Sequence, residues 1–146
     1  MSAEKTIITK FIPKQTNELG YESEADLERR FIEQLQEQGY EYAKDLKNEK
    51  ALLLNLKKQL ESLNECKFNE NEWQRLLNEI IANKSHTILE KTDLIQNNNS
   101  HCFNFDNGTS KNIMLVDKQN LQKNHLQVIN QYNSSSKNRY DVSILV

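Results

Sequence analysis

HCFNFDNGTSKNIMLV, residues 101–116, is where the pattern of the chain changes. Phe103 and Phe105 alternate with polar neighbours, and an apolar run follows at 113–116. Asp106-Asn107-Gly108 lies between them. An Asn-Gly pair between two such runs is the strongest short-range hairpin signal, because both residues tolerate left-handed backbone. Upstream the apolar spacing is that of helices, and downstream it is that of strands.

Working back, Ser23 is placed to cap a first helix, with Asp26 three residues on completing a capping-box pattern. Leu27, Phe31, Ile32 and Leu35 fall on one face, and Gly39 supplies the left-handed residue that ends such a helix. A second helix is predicted over residues 45–63, striped by Leu53, Leu56, Leu60 and Leu63 and broadened by Leu46, Leu52 and Leu54. A third starts at Asn69, with Glu70 and Glu72 in the turn where the helix dipole favours acids. Trp73, Leu76, Leu77, Ile80 and Ile81 give it the i, i+3, i+4, i+7, i+8 spacing. A shorter helix over 87–95 runs into a polar tract at 96–100. All these stripes read as core packing. Working forward, residues 125–132 and 139–146 read as strands joined by a polar loop, with Leu126, Val128 and Ile129 as inward positions. The order, helices and then an antiparallel or mixed sheet, is α+β. Residues 1–20 lack periodicity and read as an N-terminal arm; 21–146 read as one unit, helical over 21–99 and stranded over 100–146.

The totals permit this. A chain of 146 residues is long enough for one real core, and 36% hydrophobic with 27% charged residues is globular rather than disordered. No apolar run approaches the roughly 18 residues that span a bilayer, and no signal-peptide pattern opens the chain, so a soluble, cytoplasmic protein with no membrane partner is expected. Net charge is −2. Residues 101–146 hold five Lys and Arg against three acids, and neither part is basic enough to hold DNA by charge alone. Cys66 and Cys102 are far apart without metal-site spacing, and each is expected to be a buried free thiol. His101 beside Cys102 makes a poor zinc site, since neighbours on a strand face opposite ways. With three glycines in all, the chain holds no phosphate-cradling loop, and no nucleophile motif is visible.

Asp141 is what remains. In KNRYDVSILV, residues 137–146, it opens a run of strand formers. A carboxylate there suits a hard divalent cation, which takes oxygen ligands and keeps several waters; it also suits an ordinary strand end.

Several segments, in order and spacing, carry a resemblance. They are SEADLERRFIEQL at 23–35, NEWQRL at 71–76, ILEKTDLIQ at 88–96, LVDKQNL at 115–121, QVINQY at 127–132 and NRYDVSILV at 138–146. Together they resemble the start of the restriction (R) subunit of type I restriction-modification enzymes. The resemblance implies a nuclease region of the PD-(D/E)xK type with a restriction-endonuclease-like fold. There Asp141 matches the Asp of the RYDV segment, which holds Mg2+ together with a Glu-x-Lys on the next strand. Ser143 stands where Thr is common. That next strand is expected just after Val146, so the sheet is expected to be incomplete and the chain alone inactive. The resemblance further implies double-stranded DNA as substrate, methyltransferase (M) and specificity (S) subunits as partners, and ATP bound only in motor domains outside this chain. Helical acids often join such metal sites. Glu24 and Glu28, four apart and on one face, are therefore candidates beside the plain reading of a solvated face. Arg139 and Lys137 could touch a phosphate or simply keep the loop soluble. The alternative is a helical interaction module over 23–95 that docks the motor or modification subunits through the leucine face of the second helix.

Overall fold

Ser23 caps the first helix as expected. In the computed structural model, which describes residues 23–133 and 139–146 apart from the side chains of Asn133 and residues 139–141, its hydroxyl accepts from the Asp26 N–H at 3.2 Å. The same hydroxyl donates to the Asp26 carboxylate at 2.6 Å, so the reciprocal bond joins two side chains rather than reaching back to the backbone. The predicted arm at 1–20 lies outside the described residues.

Helix α1 (Glu24–Glu37) ends in a Schellman motif. Tyr40 N–H bonds Leu35 O and Gly39 N–H bonds Gln36 O, with Gly39 at φ +97°. The turn feeds a two-residue strand, β1 (Glu41–Tyr42), that the periodicity did not reveal. Helix α2 (Glu49–Asn64) starts four residues later than predicted, where Asn48 caps it through the Ala51 N–H. It closes on a second Schellman motif with Glu65, not glycine, in the left-handed position at φ +50°. Asn69 and Glu72 form a full capping box at the start of α3 (Glu70–Arg75), which widens into a π-helical turn, Leu76–Ile81. A second capping box, Thr87 and Glu90, starts α4 (Ile88–Gln96).

The hairpin is present: β2 (Ser100–Asn104) pairs antiparallel with β3 (Ser110–Met114), Asn104 opposite Ser110. Its turn is not the two-residue kind. Gly108 N–H bonds Phe105 O, Gly108 alone is left-handed at φ +82°, and Phe105 N–H bonds Thr109 O. Three residues, 106–108, thus make the loop. Strand β4 (Gln127–Asn133) lies between β1, its parallel partner, and β5 (Arg139–Leu145), its antiparallel one. Among the described residues, four α-helices with one mixed and one antiparallel sheet make the fold α+β.

Among the described residues two apolar clusters hold these pieces. The larger joins α2, α3 and the hairpin through Leu60, Phe68, Trp73, Leu76, Leu77, Phe103 and Ile113. Glu72 clips it: one carboxylate oxygen accepts from Asn69 N–H and the other from Asp106 N–H in the hairpin loop, each at 2.8 Å. The smaller seats α1 on the mixed sheet through Ile32, Leu35 and Val128.

Three expectations need correction. Leu27 and Phe31 are about half exposed, because only the Ile32–Leu35 side of α1 meets the sheet. Helix α4 buries none of its residues, and Ile88 and Leu89 stand more than 80% exposed. Cys102 is exposed rather than buried, since strand alternation turns it outward beside the inward Phe103; Cys66 is partly buried, and burial pushes its thiol up.

Candidate metal-binding cleft between the first helix and the mixed sheet

Strand β4 is buried on both faces, which explains why Gln127, Val128 and Ile129 are consecutive buried residues. Val128 faces α1, while the Gln127 side chain accepts from Asn55 of α2 at 2.7 Å. Regular alternation would send Asn130 towards α1 and Gln131 towards α2. It does not, because Gln131 has left-handed backbone at φ +53°. That twist brings two successive side chains to the α1 face, and both meet Glu28.

Glu28, half-buried on α1, accepts from Asn130 Nδ2 at one carboxylate oxygen and from Gln131 Nε2 at the other, the latter at 2.6 Å. Asn130 is itself fixed. Its Oδ1 accepts from Tyr42 Oη at 2.8 Å and from Lys47 Nζ at 2.6 Å, and Lys47 also donates to the Asn130 backbone oxygen at 2.7 Å. A charged donor thus holds the amide that holds the carboxylate, with β1 and the loop before α2 serving the same point. The cleft over Glu28, about 280 Å³, is also lined by Ala25, Arg29, Ile32 and Tyr42. At the other end of β1, His125 hydrogen-bonds Glu41 and holds its carboxyl below the usual glutamate range, with partial burial opposing.

The structure separates the two helical candidates. Glu28 joins this network and Glu24 is exposed one turn away. Asp141 takes its place as the third residue of β5. Pairing of Asn130 with Val142 and of Tyr132 with Tyr140 sets it opposite Gln131, at the one step where the β4–β5 ladder skips a pair. The side chains of Asp141 and Arg139, and all of Lys137, lie outside the described residues. Among the described residues no three His, Cys, Asp or Glu side chains stand together as a metal site, and no helix is long and apolar enough to cross a membrane. Sequence reasoning missed Tyr42, Lys47, Asn130 and Gln131. The available signal was the polar Asn-Gln pair interrupting the apolar strand in QVINQY.

The pattern of the family described as the type I restriction enzyme R protein N terminus matches residues 1–146. The chain is 42% identical over 142 residues to the type I restriction enzyme EcoprrI endonuclease subunit of Escherichia coli. That match covers 96% of this chain and 45% of the relative, so the chain spans under half the relative's length. On the extent of the first match and the identity of the second, the chain belongs to the family of type I restriction enzyme R protein N termini.

Proposed function

We propose that this chain is the first part of the nuclease region of a type I restriction endonuclease subunit, which cleaves double-stranded DNA with Mg2+ and ATP in the cytoplasm. The observation that carries the reading is the meeting of Glu28 with the Asn130-Gln131 step of β4, directly across the ladder from Asp141. The donor set fits the cation. Carboxylate and amide oxygens are hard ligands that suit Mg2+, and a buried Gln131 Oε1 has no hydrogen-bond donor among the described residues. Asp141 and Glu28 would hold the ion, with Glu24 too exposed to rank beside them. When bound, Mg2+ neutralises phosphate charge and lowers the pKa of an attacking water. Lys47, Tyr42 and Asn130 keep Glu28 in place.

In this reading a Glu-x-Lys strand pairs with the outer edge of β5, ATP serves a motor further along the polypeptide, and M and S subunits supply modification and sequence recognition. The 146 residues alone then hold neither the carboxylate nor the lysine of that Glu-x-Lys strand, and cut nothing. The test is cleavage of unmodified DNA by the complete complex carrying Asp141→Ala. Cleavage should fall to background while DNA-stimulated ATP hydrolysis persists; cleavage at the wild-type rate would refute the assignment.

One observation favours an additional docking role. A groove of about 510 Å³ runs along α2, with Leu52, Leu56, Leu63, Leu115 and Leu145 among its lining. Self-association of the chain in sedimentation, relieved by Leu52→Lys, would support that role; a monomer at every concentration would count against it.

A further inference from the structure

We propose that Gln131 is an outer-sphere ligand of the divalent cation, its side-chain oxygen accepting a hydrogen bond from a metal-bound water. The inference rests on reading Asp141 and Glu28 as the metal carboxylates.

The orientation of the Gln131 amide is fixed by chemistry. A carboxylate can only accept, so the amide nitrogen must face Glu28, as the 2.6 Å contact shows. Oε1 therefore points the other way. There it is buried, with no donor among the described residues. A buried acceptor without a donor is costly.

The same residue carries a second cost. Its φ of +53° lies in a region that side-chain-bearing residues rarely enter, and within a strand it forfeits a ladder position. Ordinary alternation would remove the backbone strain by sending the side chain to the α2 face. The fold instead keeps the strain and holds the side chain on the face where Glu28 stands.

The donor it lacks must come from outside the described side chains. The nearby Lys47 ammonium is already committed to Asn130. Beside a carboxylate, and across the ladder from Asp141, the fitting donor is a water polarised by a divalent cation, since Mg2+ keeps several of its waters.

The experiment is Mn2+ binding, followed by the electron paramagnetic resonance of the free ion, to the complete subunit without DNA or nucleotide. Four proteins are compared: wild type, Gln131→Met, Gln131→Glu and Asp141→Ala. Gln131→Met, similar in size but without donor or acceptor, should weaken binding about tenfold. Gln131→Glu keeps the acceptor and should bind at least as tightly as wild type. Asp141→Ala should abolish binding at this site. If Gln131→Glu binds as weakly as Gln131→Met, the residue acts only by steering Glu28, and the inference fails. If Gln131→Met binds like wild type while Asp141→Ala does not bind, the inference fails and the metal site stands. If Asp141→Ala binds like wild type, the site assignment falls and takes the inference with it.

Discussion

Replacing Asn64 with alanine should cost this protein much of its stability, although the residue touches no candidate ligand. Asn64 is 5% exposed at the C-terminal end of α2. Its side chain treats the end of β3 as a neighbouring strand would: Oδ1 accepts from the Met114 N–H at 2.7 Å, and Nδ2 donates to the Met114 carbonyl at 2.9 Å. Nδ2 also donates to Leu60 O at 2.9 Å. The amide thus joins α2 to the hairpin. Alanine removes both bonds to Met114 and leaves a backbone donor and acceptor unpaired at the helix–hairpin junction. Two bonds at about 1 kcal/mol each, with a part of the desolvation of the orphaned groups, give about 2–4 kcal/mol. The single tryptophan, Trp73, is 4% exposed in the cluster that the hairpin closes, so its fluorescence reports this junction. In urea, with a slope of about 1.5–2 kcal/mol/M for a chain of this size, the midpoint should fall by about 1–3 M. Asn64→Asp retains the acceptor for Met114 N–H but not the donor, and should also be destabilised. A loss below about 0.5 kcal/mol in Asn64→Ala would show that the amide does not couple helix to hairpin.

Other consequences follow from single residues. Glu65→Gly relieves a left-handed backbone at the α2 C-terminus, worth about 1–2 kcal/mol, against about 0.5–1 kcal/mol of added unfolded-state freedom. The variant should melt a few degrees higher by circular dichroism. Glu41, held below the usual glutamate range by the His125 hydrogen bond, contributes stability that is fully present above its ordinary pKa. That contribution is lost as pH falls through the depressed folded-state value, so Glu41→Gln should flatten the acid side of a stability–pH curve. Cys102 is exposed and the Cys66 thiol is pushed up by burial, so a chromogenic disulfide reagent at pH 8 should label Cys102 first. Cys102→Ser should leave only the slow phase.

The helices were legible because each has local causes. Ser23, Asn69 and Thr87 cap their own helices, and Trp73, Leu76 and Leu77 keep their spacing even though the last turns of that helix widen into a π-helix. The hairpin was legible from Gly108, though a left-handed glycine fits more than one loop length, and the longer one is used. Exposure was harder to read. Nothing local distinguishes Leu27 from Leu35; only the sheet, which covers one side of α1, does so. Strand β1 escaped notice because two residues have no period, and its partner lies more than 80 positions away. The cleft shows the same limit. Glu28 was accessible as one of a pair of helical acids, but choosing it over Glu24 requires the register of β4 and the backbone of Gln131. Lys47 and Tyr42 reach Asn130 from a loop and a short strand, and no spacing rule connects them.

The proposed divalent cation sits between α1 and the β4–β5 ladder. Anomalous diffraction from crystals of the complete subunit soaked in Mn2+ would locate it directly. A peak bounded by the carboxylates of Glu28 and Asp141, with a bound water facing Gln131 Oε1, is expected. A peak elsewhere in the nuclease region, with the Asp141 side chain directed away from this cleft, would contradict it.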